Sequence, residues 1–174
     1  MITVMKFGGT SVGSPEALDR VSNIIINTEG DKVVVVSAMS GITNFLVGVV
    51  DNPPANIDTI VEQFANKHLV AAGQLLQGDD LESFRKDFNT RLDGFRKALS
   101  ADRDEPFYRD CVVSQGERFS SLILAHVLRS KGYKSEALCS EDAGIVAEGH
   151  SMAGSANLLR TASGMTMQVK PLLA

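Results

Sequence analysis

Apolar positions along this chain fall into two rhythms, short runs with strand character and longer stretches repeating at helical spacing. The opening "MITVMKF" reads as a strand. "SPEALDRVSNIIINT" follows as a helix, with Ser14 as the candidate N-cap and Pro15 at the first helical position. In "KVVVVSAMSG" four consecutive valines, bounded by Asp31 and by small polar residues, predict a strand buried on both faces, as in a parallel sheet. The middle of the chain is helical, from "NIDTIVEQFANKHLVAAGQLL" through "DDLESFRKDFNTRLDGFRKAL", broken at "QGDD". It predicts a helical excursion over about 52–110, with Arg85, Lys86, Asp87 and Arg91 on a solvated face. "VVSQGERFSSLILAHVLRSKG" predicts a further helix entered near Ser114 to Glu117. Leu122, Ala125, His126 and Leu128 face inward, and Gly132 is its stop. "KSEALCSEDAGIVAEG" is expected to add short strands around an acidic turn at Glu141 and Asp142. "TASGMTMQVKPLLA" is expected to form a last helix.

Strand, helix, strand in this order implies a crossover that leaves both strand carboxyl ends on one edge of a sheet. Open α/β sheets bind ligands at that edge. Gly8, Gly9, Ser37 and the "SGITN" loop are therefore expected to open onto one crevice.

Composition narrows the function classes. The 174 residues, 44% hydrophobic and 22% charged, suit one globular domain, and no apolar run is long enough to span a bilayer. A formal charge of −4 gives no footprint for nucleic acid, whereas a small anionic or zwitterionic ligand is easily accommodated. "MITVM" lacks the parts of a secretory signal, and two cysteines, Cys111 and Cys139, suggest a reducing, cytoplasmic setting. His68, His126 and His150 show no ligand spacing, so no metal is assigned to them.

The candidate chemistry lies in "MKFGGTSV", residues 5–12. If the chain leaves a strand through Gly8 and Gly9 into a helix, unpaired backbone N–H groups attract anions, and Lys6 adds a full positive charge. The plain alternative is a glycine turn with a surface lysine.

Four stretches in this order and spacing, "KFGGTSV", "VVVVSAMSGITNFL", "SQGERFSSLILAHVL" and "EDAGIVAEG", resemble the N-terminal part of the kinase domain of aspartate kinases, in the amino acid kinase superfamily. The lysine precedes the glycines, so this is neither a Walker A loop nor a dinucleotide fingerprint. The resemblance implies an α/β three-layer sandwich with a mostly parallel sheet, incomplete at the C-terminus. It further implies transfer of the γ-phosphoryl group of ATP to the side-chain carboxylate of L-aspartate, with Mg2+ as counter-ion, on the route to lysine, threonine and methionine.

The resemblance gives Lys6 the catalytic role, and Lys6, Phe7, Gly8, Gly9, Thr10 and Ser11 the ATP phosphates. Ser37 and Thr43 fall to the substrate's carboxylates and Glu117 to its ammonium, a charge-assisted pair. Read without it, Glu117 is a first-turn glutamate complementing the helix dipole, and Ser37 and Thr43 are strand-end and capping hydroxyls. Arg118 is expected to pair with an acidic neighbour, and Asp142 to be a turn residue. Aspartate kinases continue into a stretch with the motif "GGSD" and an adenine-binding region. Residues 1–174 are therefore expected to be the substrate-binding part, inactive alone, with the remaining half as partner and homo-oligomers formed. A kinase for another acid of the acetylglutamate or carbamate type, and a binding module without turnover, are the alternatives.

Overall fold

In the computed structural model, which describes residues 1–173, the chain opens with β1 (Ile2–Phe7), α1 (Pro15–Ile26) and β2 (Asp31–Val36). The two strands pair in parallel, with Ile2 opposite Asp31 and Phe7 opposite Val36. α1 starts where the sequence says it should. The Ser14 hydroxyl accepts from the Ala17 N–H at 3.2 Å, and Pro15, which has no amide hydrogen to lose, occupies the first turn. Leu18, Val21 and Ile25 form its buried stripe.

After β2 come α2 (Ile42–Asp51), α3 (Ile57–Leu75), α4 (Gly78–Ser100), the short α5 (Tyr108–Val113) and α6 (Gln115–Ser130). The break between α3 and α4 falls at Leu76 and Gln77, with Gly78 at φ +53°. α6 is the central element, contacting α1, α2, α3, α4, α5 and β2. Seven consecutive residues illustrate this centrality: Leu122 through Leu128 are all buried, between the half-buried Ser121 and the exposed Arg129. Gly132, at φ +85°, closes the helix through bonds from Gly132 N–H to the Arg129 carbonyl and from Tyr133 N–H to the Leu128 carbonyl. The last elements are a two-residue antiparallel pair, β3 (Ala147–Glu148) with β4 (Ser155–Ala156), then α7 (Leu158–Gln168) and a 3-10 turn at Lys170–Leu173. The fold is a helix-rich α/β arrangement with a small parallel sheet.

The core is aromatic where α3, α4 and α6 meet. Phe64 lies 4.4 Å from Phe95 and 4.9 Å from Phe119 between ring centroids, and Phe88 lies 5.0 Å from Phe119. His68 is fully buried among them, its Nδ1 2.8 Å from the Phe64 carbonyl. Burial pushes the imidazole down from the ordinary 6.5 to about 4. The native state thus keeps His68 neutral while the unfolded chain takes up a proton below about pH 6.5. Stability is lost as pH falls from about 6.5 to 4, by up to about 3 kcal/mol for this group, and the loss then levels off. Urea midpoints at pH 7 and 4.5 are expected to differ less in His68→Leu than in the parent; equal differences would mean that other groups carry the acid sensitivity.

Three expectations need correction. β2 is not covered on both faces: Met5, Phe7, Val34 and Val36 turn toward the core, but Val4 and Val35 are 70% and 49% exposed on the other face. A run of valines fits a strand covered on two sides, yet coverage depends on neighbours that a local pattern does not reveal. Residues 134–140 form no strand, because no strand lies alongside to pair with them among the described residues. Finally, Arg85 and Lys86 are solvated, but Asp87 and Arg91 are not free: Asp87 Oδ2 is 3.1 Å from His126 Nε2, and Arg91 donates to the carbonyls of Arg118 and Ala137. These contacts tie α4 to α6 and to the segment after it.

Candidate active site

The carboxyl ends of β1 and β2 lie side by side, and the Ser37 N–H donates to the Phe7 carbonyl at 3.0 Å. Beyond Phe7 the chain does not run straight into a helix. The Gly8 carbonyl accepts from the amides of Ser11 (2.9 Å) and Val12 (3.3 Å), making a closed turn before Ser14 caps α1. The glycine amides and the α1 N-terminus are therefore separate features. Phe7 turns its ring to the core, while Lys6 projects from the exposed face of β1. Its Nζ comes back to 4.0 Å from where a Gly8 Cβ would be. Thr10 and Ser11 are exposed on the turn.

The loop from Ser37 to Gly41 faces this turn. A Cβ on Gly9 would stand 3.0 Å from the Ala38 carbonyl oxygen, so the two backbones nearly touch. Gly41 caps α2 at φ +80° without a side-chain bond, and Thr43 lies exposed in the first turn. Thr43 is not the N-cap, and neither its hydroxyl nor that of Ser37 has a hydrogen-bond partner among the described residues.

Glu117 enters from the first turn of α6. Its Oε1 accepts from the Ala38 N–H at 3.3 Å, so the carboxylate leaves its own helix and reaches the loop after β2. One carboxylate oxygen is thereby anchored and the other stays available. The approach needs Gly116, since a Cβ there would come within 2.5 Å of Ala38 Cβ and 2.9 Å of Ile42 Cγ2. A glycine inside a helix costs about 1 kcal/mol relative to alanine, a cost offset here by the close approach of α6 to the loop after β2. Arg118 points the other way and pairs with Glu141 at 2.6 Å; Asp142 lies in the turn that follows.

Lys6, Gly8, Gly9, Thr10, Ser11, Ser37, Thr43 and Glu117 thus border one sheet edge. Ser40, in the "SGITN" loop expected at this crevice, borders the edge as well, and Lys67 joins it without having been foreseen: the Ser40 hydroxyl donates to the Gly9 carbonyl at 3.2 Å, and the Lys67 ammonium donates to the Ser40 carbonyl. Nothing in the spacing distinguishes Lys67 from other exposed lysines of a long helix. A separate cavity of about 580 Å³ lies between α4, α5 and α6, where Cys111, Cys139 and Arg118 line it. The edge itself offers a lysine, backbone donors, free hydroxyls and one carboxylate, a set that suits a small molecule bearing both phosphate or carboxylate and ammonium groups. Among the described residues no group of three or more His, Cys, Asp or Glu side chains could hold a metal ion, and no helix is long and apolar enough to cross a membrane.

Known proteins share both the sequence and the architecture. The chain is 32% identical over 154 residues to the chloroplastic bifunctional aspartokinase/homoserine dehydrogenase 2 of Arabidopsis thaliana, covering 84% of this chain and 17% of that protein. It is 31% identical over 156 residues to aspartokinase 3 of Bacillus subtilis, covering 82% of this chain and 32% of that one. The fold superposes on E. coli aspartokinase III, solved in complex with aspartate and ADP, with a TM-score of 0.85 and 24% identity, over 99% of this chain and 38% of that chain. The present chain accordingly spans less than half the length of each of these proteins. The profile of the amino acid kinase family matches residues 1–170, and the chain belongs to that family.

Proposed function

We propose that this chain supplies the aspartate-binding and phosphate-binding edge of an aspartate kinase, in which ATP phosphorylates the side-chain carboxylate of L-aspartate to 4-phospho-L-aspartate. The observation that carries the reading is the meeting of Glu117, anchored on the Ala38 amide, with the Lys6–Gly9 turn at one sheet edge. In the reaction, a carboxylate oxygen of aspartate forms a bond to the γ-phosphorus as the bond to the bridging oxygen of ADP breaks. Phosphoryl transfer is mainly positioning and charge stabilisation. Lys6 neutralises the phosphoryl oxygens, with the amides and hydroxyls of Gly8, Gly9, Thr10 and Ser11 around them. Ser37 and Thr43, whose hydroxyls are unengaged, receive the substrate's carboxylates, and the available oxygen of Glu117 receives its ammonium. Magnesium accompanies the nucleotide in this reading; the described residues offer no acidic cluster for it, and no step is assigned to it. The relatives named as aspartokinases and the aspartate and ADP complex of the E. coli protein support the choice of substrates. The apolar exposed face of β1 and β2, with Ile2, Val4 and Val35, supports a further covering layer, as a three-layer sandwich has.

Glu117→Gln tests the assignment of the ammonium, because it keeps the shape and removes the charge. Loss of a charge-assisted bond costs about 1.5–3 kcal/mol, or roughly 10- to 100-fold in affinity. Titration of the chain with aspartate and with succinate, which lacks the ammonium, should give a preference for aspartate that disappears in Glu117→Gln. Equal aspartate affinity in the two proteins would return Glu117 to a purely structural role.

A further inference from the structure

Ser40 stands between three elements that carry the site, and its two bonds do different things. Its hydroxyl donates to the Gly9 carbonyl, and it occupies the space that Gly13 leaves by having no side chain. Its own carbonyl accepts from the ammonium of Lys67, which belongs to α3, 27 residues away. The Lys67 Nζ also lies 3.4 Å from where a Gly41 Cβ would be, at the start of α2. A cation at a helix N-terminus is opposed by the helix dipole. Lys67 is therefore poorly placed to stabilise α2 by its charge, and its direct gain there is the bond to Ser40.

We propose that Lys67 and Ser40 are positioning residues that aim two backbone donors, the Thr10 and Gly41 amides, into the site. The argument is one of peptide geometry and rests on the functional reading above. In a trans peptide the carbonyl of one residue and the N–H of the next share a plane and point in opposite directions. Holding the Gly9 oxygen toward Ser40 turns the Thr10 N–H away from Ser40. Holding the Ser40 oxygen toward Lys67 turns the Gly41 N–H away from Lys67. Neither amide has an acceptor among the described residues, so both are free for a bound anion. Because Ser40 and Lys67 are both exposed, their bonds add little to global stability, and removing them disturbs aim rather than folding. The clamp also links α3 to the glycine turn, adding to the packing of α3 on α1.

The test uses the 174-residue chain with Ser40→Ala, Lys67→Met and Lys67→Arg, followed by amide NMR, thermal unfolding and titration with aspartate and with inorganic phosphate. Ser40→Ala is expected to shift the Thr10 resonance, Lys67→Met the Gly41 resonance, and both to speed exchange of these amides while the melting temperature stays unchanged. Binding should weaken about three- to tenfold in each, the losses should add in the double variant because the two bonds aim different amides, and Lys67→Arg should restore what Lys67→Met loses. Unchanged Thr10 and Gly41 resonances in both variants would overturn the clamp, as would losses that track a fall in melting temperature. If the parent chain binds neither aspartate nor phosphate, the functional reading fails, while the amide resonances still decide whether the clamp exists.

Discussion

Lys6→Ala, introduced into an active protein that carries this chain, is expected to lower turnover by about 10²- to 10³-fold while changing aspartate affinity by about threefold or less. Lys6 projects from the exposed face of β1 and its ammonium returns to 4.0 Å from where a Gly8 Cβ would be, beside the turn. It is placed for the phosphoryl group, whose charge shifts during transfer, and not for the ammonium or carboxylates of the acceptor. An interaction that strengthens in the transition state appears in kcat, whereas one made equally throughout appears in KM. Steady-state kinetics with aspartate and ATP varied in turn separates the two. A turnover number within about threefold of the parent would remove Lys6 from the transfer step and leave it as a surface lysine next to a glycine turn.

The largest expected effect on stability is at Phe119. Its ring is fully buried and meets Phe64, Phe88 and His68, side chains from both α3 and α4, while its backbone belongs to the central helix α6. Phe119→Ala should cost about 3–5 kcal/mol, since the cavity is walled by rings from α3 and α4, two helices that cannot both move in. The effect reaches the site as well, because Phe119 is two residues from Glu117 on the same helix. Chemical denaturation gives the first quantity and aspartate titration the second. A loss under about 1 kcal/mol would mean that α3 and α4 close over the gap, and that the aromatic cluster is not what fixes the hairpin on α6.

Much of this fold could be read locally because the deciding interactions are local. Ser14, Pro15 and the stripe of Leu18, Val21 and Ile25 act within two turns of helix, and Gly132 ends α6 through bonds to residues just before it. The grouping of the glycine turn, Ser37 and the loop holding Thr43 was legible for another reason: a strand, helix, strand order puts strand ends together whatever the side chains, whereas Glu117, on a helix far along the chain, was placed there only by the family resemblance. What escaped is what depends on long-range partners. Val35 belongs to an apolar run like its neighbours, yet its exposure is set by the absence of any covering element among the described residues. Arg91 and Lys67 each donate to backbone carbonyls, and a carbonyl is present at every position, so no residue type marks the acceptor. The loop holding Ser40 was expected at the crevice, but its bond to the Gly9 carbonyl was not, and Gly116 could not be told from Gly48, Gly73 and Gly94, helical glycines with open space around them.

The bond between Glu117 and the Ala38 amide joins positions 79 residues apart, and α3, α4 and α5 all lie within the enclosed loop. Closing so long a loop as a flexible chain is slow and carries an entropic cost that grows with the logarithm of its length. The α3 and α4 hairpin shortens it, because once their phenylalanines gather on α6 the free segments to be closed are short. The edge around Glu117 is therefore expected to assemble after the aromatic core. A chain recovering from denaturant should regain its helical signal before the proposed aspartate binding returns, and the interval between the two measures how long the helices exist without the completed edge.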